Sequence, residues 1–188
     1  MTGAIKKYAE DRAGFAFVEL MIVIALIGIM SAIAVPSYLR SLPEKRLRSA
    51  TMNLYADMQK ARLLAVKRNT NVFIQFNATE KSYSISIDEN KDGNISDDEQ
   101  RIRTLSDYEE VIYGCTTNEG WYNGQSIPES GVPEDNSFSF TSTGVMDTAM
   151  PISIYLRYLN NDTIISYAIT LTQFGAVKIR RFDGNIWD

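Results

Sequence analysis

The sequence contains no histidine and a single cysteine, Cys115. Without histidine, Ser-His-Asp and Cys-His catalysis are excluded, and so are imidazole-bound metals. With one thiol no intrachain disulfide can form, and Cys115 reads as a small buried hydrophobe. Phosphate-cradling P-loops, G-x-G-x-x-G turns and G-x-S-x-G nucleophile elbows are also missing. Positive charge is in short supply. The net charge of −4 disfavours a globally basic nucleic-acid binder, though not a local basic patch. No tandem repeat or low-complexity tract is present. The 188 residues suffice for one domain and an anchor.

What the chain does have is a long apolar run. Residues 15–35 read FAFVELMIVIALIGIMSAIAV, with one charge, Glu19. As a helix the run reaches about 30 Å, the thickness of a bilayer's hydrocarbon core. A buried core helix is rarely apolar on every face. The preceding stretch sets Lys6, Lys7 and Arg12 against Glu10 and Asp11, a slight positive excess that favours a cytoplasmic N-terminal side. A secretory signal is the competitor, but its apolar region is shorter and ends in a small-residue cleavage pattern. Here Pro36 and Tyr38 follow instead, which favours a retained anchor. A carboxylate at mid-bilayer costs roughly 2.5–3.5 kcal/mol, and less near an interface. Glu19 lies one turn into the run. It reads either as a snorkelling side chain or as a functional group with a partner outside its own helix.

The stretch Gly14-Phe15-Ala16-Phe17-Val18-Glu19-Leu20-Met21 resembles the processing site of type IV pilins and type II secretion pseudopilins. The resemblance implies that a prepilin peptidase cuts after Gly14 on the cytoplasmic side. The new N-terminal Phe15 is then N-methylated, and residues 1–14 are a removed leader. Ala16 and Phe17 depart from the Thr and Leu often found in that family. The resemblance also gives Glu19 a partner: the Phe15 amine of a neighbouring subunit in a packed helix bundle. A buried pair of that kind costs less than either charge alone. Ala25, Gly28 and Ala32, spaced by three and four, would allow the helices close approach. Without the leader the balance is 16 basic against 21 acidic residues.

Beyond the anchor, Pro36 and Pro43 predict a kink or short break between residues 35 and 45. Leu47, Ala50, Leu54, Met58, Ala61 and Ala65 then recur at threes and fours. This is one buried stripe on an amphipathic helix ending near residues 67–69. Alternating patterns predict strands at 72–76, 82–87, 137–141, 152–159, 164–172 and 176–182, with a polar turn at 77–81 and a tight turn at 160–162. The stretches ARLLAVKRNTNVFIQF (61–76), FTSTGVM (140–146) and ITLTQFGAVKIRR (169–181) resemble GspH/FimT-type minor pilins. Residues 105–137 match poorly and read as an insertion, loop-like at 114–136. The expectation is a pilin-like α+β fold. It comprises a cleaved leader (1–14), a transmembrane helix (15–35), an amphipathic continuation (36–68) and an antiparallel β-rich domain (69–188).

Two further stretches carry possible chemistry. Residues 88–99, DENKDGNISDDE, match the calcium loop D-x-[DN]-x-[DN]-G-x₅-E, with Asp88, Asn90, Asp92, Asn94, Ser96 and Glu99 as candidate calcium ligands. The flanks, however, read as strands, so an empty solvated turn stands beside the metal reading. Lys178, Arg180 and Arg181 form a small basic group. Some FimT-like minor pilins bind DNA through such a segment, while a solvated strand face is the plainer reading. The function these features imply is structural. The chain would be a minor pilin or pseudopilin that enters or caps a type IV pilus-like or type II secretion fibre, with DNA binding during uptake as the alternative. Its partners would be the prepilin peptidase and N-methyltransferase, other pilin subunits and the inner membrane, with the domain outside the cytoplasm. It would be the substrate of an enzyme, not an enzyme.

Overall fold

Leu47, Ala50, Leu54, Met58, Ala61 and Ala65 are each at most 1% exposed in the computed structural model. The three- and four-residue spacing therefore does what it predicts and turns one face of a helix into the core. Each of the larger residues contributes about 1.5–3 kcal/mol by leaving water. The structure describes residues 4–89, 100–108, 110–115, 127–128, 130–133, 135–159 and 165–188. These fall into two compact units, Met1–Leu42 and Pro43–Asp188.

The described part of the first unit is helical, the beginning of α1 (Ala4–Arg68). Its side chains from Phe17 to Arg40 are exposed. Of the kink or short break expected between residues 35 and 45, the break is not there, since α1 is helical through both prolines. A proline deletes one backbone donor and crowds the carbonyl four residues back. Ser31 Oγ donates to the Ile27 carbonyl at 2.7 Å and Ser41 Oγ to the Tyr38 carbonyl at 2.8 Å, so these hydroxyls find partners within the helix itself.

In the second unit the helix ends on a left-handed residue. Asn69 has φ +50°, its N–H reaches the Val66 carbonyl, and the Thr70 N–H reaches the Ala65 carbonyl. This is a Schellman cap with asparagine in the place usually held by glycine. Lys67 and Arg68 in the last turn suit the negative end of the helix dipole.

Among the described residues eight strands follow in two antiparallel sheets. The first, in the order β3-β2-β1-β5, contains β1 (Val72–Asn77), β2 (Ser82–Ile87), β3 (Gln100–Thr104) and β5 (Ser137–Phe140). The second, β4-β6-β7-β8, contains β4 (Val111–Tyr113), β6 (Ile152–Tyr158), β7 (Ser166–Leu171) and β8 (Val177–Phe182). The helix stripe, Val72, Ile74 and Phe76 of β1, and Ile154, Leu156, Ile169 and Leu171 of the second sheet share one buried cluster. Phe76 and Tyr113 meet edge-on across the two sheets, 5.9 Å between centroids. The turn before β2 forms as its sequence suggests, with the Asn77 side chain accepting the Glu80 N–H at 3.0 Å.

Three expectations need correcting. β3 and β4 are strands that the sequence pattern does not announce. β3 carries a single apolar residue, Ile102, 70% exposed on an edge strand, and β4 is only three residues long. The stretch 105–137, read as an insertion, also contributes core residues, Leu105, Val111, Tyr113 and Val132. Cys115 is half-buried, not fully buried. The turn at 160–162 lies outside the described residues.

One side chain joins the helix to both sheets. Arg62 Nε donates to the Gly144 carbonyl at 2.9 Å, and its Nη2 donates to the Phe174 carbonyl at 3.2 Å. Gly144 follows β5, and Phe174 lies in the turn between β7 and β8. Met146 N–H donates to the Gln173 carbonyl at 3.0 Å and links the same two turns. Gly144 and Gly175 both have φ +75°. A Cβ on Gly175 would lie 2.1 Å from the Gly144 carbonyl oxygen and 2.8 Å from Arg62 Nε. Arg62→Ala should therefore lower unfolding stability by about 2 kcal/mol through two lost charge-assisted hydrogen bonds. Gly175→Ala should cost a similar amount, about 2 kcal/mol, by forcing a side chain into left-handed backbone and a full space. Urea unfolding of the full chain in detergent measures both, and a wild-type midpoint for either variant contradicts the arrangement.

Candidate functional site

Gly14 and Phe15 lie on α1 with helical backbone. One turn on, Glu19 is exposed and, among the described residues, has no ion-pair partner. Around it Phe17, Val18, Leu20, Met21 and Ile22 are 55–62% exposed. Among the described residues this is the one helix long and apolar enough to cross a membrane, and none of its most apolar window is buried by the rest of the chain. A helix apolar on all sides with nothing covering it requires another solvent or another helix. Gly28 has open space where a Cβ would stand, so a neighbouring backbone can come close there. The candidate processing residues Gly14 and Phe15, Glu19 and the small residues Ala25, Gly28 and Ala32 thus lie on one helix, exposed from Phe17 to Arg40.

The acidic stretch connects β2 to β3, whose register pairs Ser86 with Gln100. Its flanks are the strands β2 and β3, not the two helices of an EF-hand. Asp88 is 4% exposed, and its backbone is held at both ends of the peptide unit. Its N–H donates to the Asn71 carbonyl at 3.3 Å, and its carbonyl accepts from the Thr70 hydroxyl. Arg68 pairs with Glu89 beside it. Asn90, Asp92, Asn94, Ser96 and Glu99 lie outside the described residues. Among the described residues no group of three acidic, histidine or cysteine side chains could hold a metal.

The basic trio of β8 is split. Arg181 pairs with Tyr167 and Ile179 with Ile169 on the side facing the helix, whereas Lys178 and Arg180 pair with Thr170 and Ala168 on the other side. Arg181 Nη2 donates to Glu44 on the helix at 3.0 Å. Burial pulls the Arg181 guanidinium the other way, but Glu44 and Tyr167 leave it above its ordinary pKa. Lys178 and Arg180 do share a face, as alternation requires. The three cations do not make one surface, and the DNA-binding alternative gains no support.

A second polar link ties β2 and β3 to the helix. The Tyr83 hydroxyl donates to Asp57 at 2.7 Å, and Arg103 Nε lies 3.6 Å from the same carboxylate. Burial first, then the hydrogen bond to Asp57, raises the Tyr83 phenol above its ordinary pKa. Sequence reading did not single out this link or give Arg62 a role. The available signal was the Ala61-Arg62-x-x-Ala65 run together with two glycine turns at a distance. Nothing local connects them until the fold brings them together.

Comparison with known proteins agrees with this architecture. The family model described as "Type II transport protein GspH" matches residues 50–175, and the prokaryotic N-terminal methylation motif matches residues 11–35. The type IV minor pilin FimU of Pseudomonas aeruginosa is similar in structure, with a TM-score of 0.50 at 18% identity, over 72% of this chain and 89% of FimU. The minor pseudopilin EpsH from the Type 2 Secretion System of Vibrio cholerae gives a TM-score of 0.49 at 10% identity, over 71% of this chain and 95% of EpsH. At such identity the FimU likeness concerns the fold alone. No curated protein matches the sequence significantly.

Proposed function

Because the chain belongs to the GspH family of type II transport proteins, we propose that it is a structural minor pseudopilin built into, or capping, a type IV pilus-like or type II secretion fibre. The observation that carries the reading is the coincidence of a methylation motif in residues 11–35 with an apolar helix that, from Phe17 on, none of the described residues covers. The membrane holds this helix first. Prepilin peptidase then cuts between Gly14 and Phe15 on the cytoplasmic side, and Phe15 is methylated. The β-rich unit stands in the periplasm or outside the cell. In the fibre the helix exchanges lipid for the helices of neighbouring subunits, with Ala25, Gly28 and Ala32 permitting close approach. Glu19 then meets the Phe15 amine of another subunit, so both charges leave lipid as a pair. No chemistry is required of the chain beyond binding.

Calcium at residues 88–99 is a separable element of the proposal. Its support is the twelve-residue ligand pattern and the fixed backbone of Asp88 at its first position. Oxygen ligands from six residues around the Gly93 turn would satisfy the ion.

Two outcomes are expected. Glu19→Ala should insert in the membrane normally but fall by at least about tenfold in sheared fibres, as expected when one partner of a buried pair is lost; immunoblots of membrane and fibre fractions measure both. Normal incorporation removes the pairing role. Calorimetric titration of the full chain in detergent should give heat on calcium addition and a higher melting temperature. No heat and an unchanged melting temperature leave the loop a solvated turn.

A further inference from the structure

β8 is an outermost strand of its sheet. At its C-terminal end the outer edge is closed by the returning chain. The Arg181 N–H reaches the Asp188 carbonyl at 3.3 Å, the Asp188 N–H reaches the Arg181 carbonyl at 2.8 Å, and Phe182 bridges to Trp187. Arg181 therefore turns its backbone groups away from β7. Bonding in an antiparallel ladder alternates, so Ile179 and Val177 turn theirs the same way. Among the described residues neither has a backbone partner on that side. An open strand edge is a template for pairing with another chain.

There is room beside it. A cavity of about 580 Å³ lies between this edge and α1, with Thr51, Met52, Tyr167 and Ile179 among its walls. Arg48 and the paired Glu44 and Arg181 also line it, so its charge is mixed and selects nothing. Met52 is 49% exposed there. We propose that the Val177–Ile179 edge of β8 accepts an extended segment of a different protein as an added strand. That segment sets an apolar residue over Met52 and acidic or uncharged residues opposite Lys178 and Arg180. An antiparallel strand exchanges two hydrogen bonds with Ile179 and two with Val177. The residue opposite Ile179 shares its face, and so meets Met52. The edge is present whether or not the chain enters a fibre.

The edge strands of a second copy do not fit. Two β8 edges set antiparallel would each run into the other's returning segment at Asp188. β3, aligned with Ile102 opposite Ile179, puts Arg103 and Arg101 opposite Lys178 and Arg180, and like charges directly opposed destabilise. The edge of β5 is taken by Asp147, whose N–H donates to the Ser139 carbonyl at 3.1 Å and whose carboxylate accepts the Ser139 N–H at 3.0 Å. β4 has three residues, and the Val111 N–H is taken by the Tyr108 carbonyl at 3.0 Å. A lipid chain would leave the edge N–H and C=O groups without partners.

The test places photoreactive benzoylphenylalanine at position 178 of the full chain, expressed in its native host, and maps crosslinked peptides by mass spectrometry. Position 178 should link to an extended segment of another protein in which apolar residues alternate with acidic or uncharged ones. Ile179→Pro deletes the outward N–H at a position where an edge strand tolerates proline. Met52→Asp sets a charge in the apolar seat. Each variant, shown to be folded by its urea midpoint, should lower the crosslink yield at least about tenfold. Links to a second copy, to lipid or to a helical segment would overturn the proposal. So would the absence of any link, or a full yield from either folded variant.

Discussion

The second unit is organised around the Arg62 guanidinium. It is the point at which the helix is bonded to a turn of each sheet, through the carbonyls of Gly144 and Phe174. Two sheets can cover one helix only if their ends converge, and convergence brings backbone carbonyls together that need donors. A planar cation with several N–H groups can serve two of them at once, where a lysine offers only a point charge. Close approach also demands that the turns carry no side chains where they meet, which is why Gly144 and Gly175 stand there. The Asn69 cap directs the chain into β1 just beyond, and the buried stripe of the helix supplies the common floor.

The first unit follows the opposite rule. Its residues 17–35 are apolar but for Glu19 and Ser31, and from Phe17 to Arg40 its side chains are all exposed. The same chain thus contains a segment stabilised by its own core and a segment that other molecules must stabilise. Within residues 17–35 the one charge that lipid does not suit is Glu19. In the proposed fibre, Glu19 would find its partner in the amine of a neighbouring subunit. Membership of the GspH family and the methylation motif fit packing beside other pilin-like subunits.

How much of this was legible in the sequence depended on whether the signal was local. The helix stripe from Leu47 to Ala65 could be read residue by residue, because period 3.6 on one face has few other causes. The strands at 72–77, 82–87 and 137–140 and the last three announced themselves by alternation or apolar runs. β3 did not, since an edge strand takes its structure from its neighbour and can carry Arg101 and Arg103. β4 is too short for any period to show. Pro36 and Pro43 suggested a kink or short break from the lost donor alone, and α1 runs through both without a break. The split of Lys178 and Arg180 from Arg181 was half legible. Alternation gives the faces, but only the fold shows that one of them meets Glu44. Arg62 was visible as part of a motif, and its role needed turns about 80 and 110 residues away. The processing site was the most local signal of all, because Gly14, Phe15 and Glu19 fall within six consecutive residues and need no distant contact to be recognised.

The central claim is that this chain is a processed subunit, made to be cut and then packed. Intact mass of the protein purified from membranes of its native host tests it most directly. The account predicts one species that begins at Phe15 and carries a single added methyl group on its N-terminal amine. A mass showing residues 1–14 still attached, or a cut anywhere other than after Gly14, would contradict it.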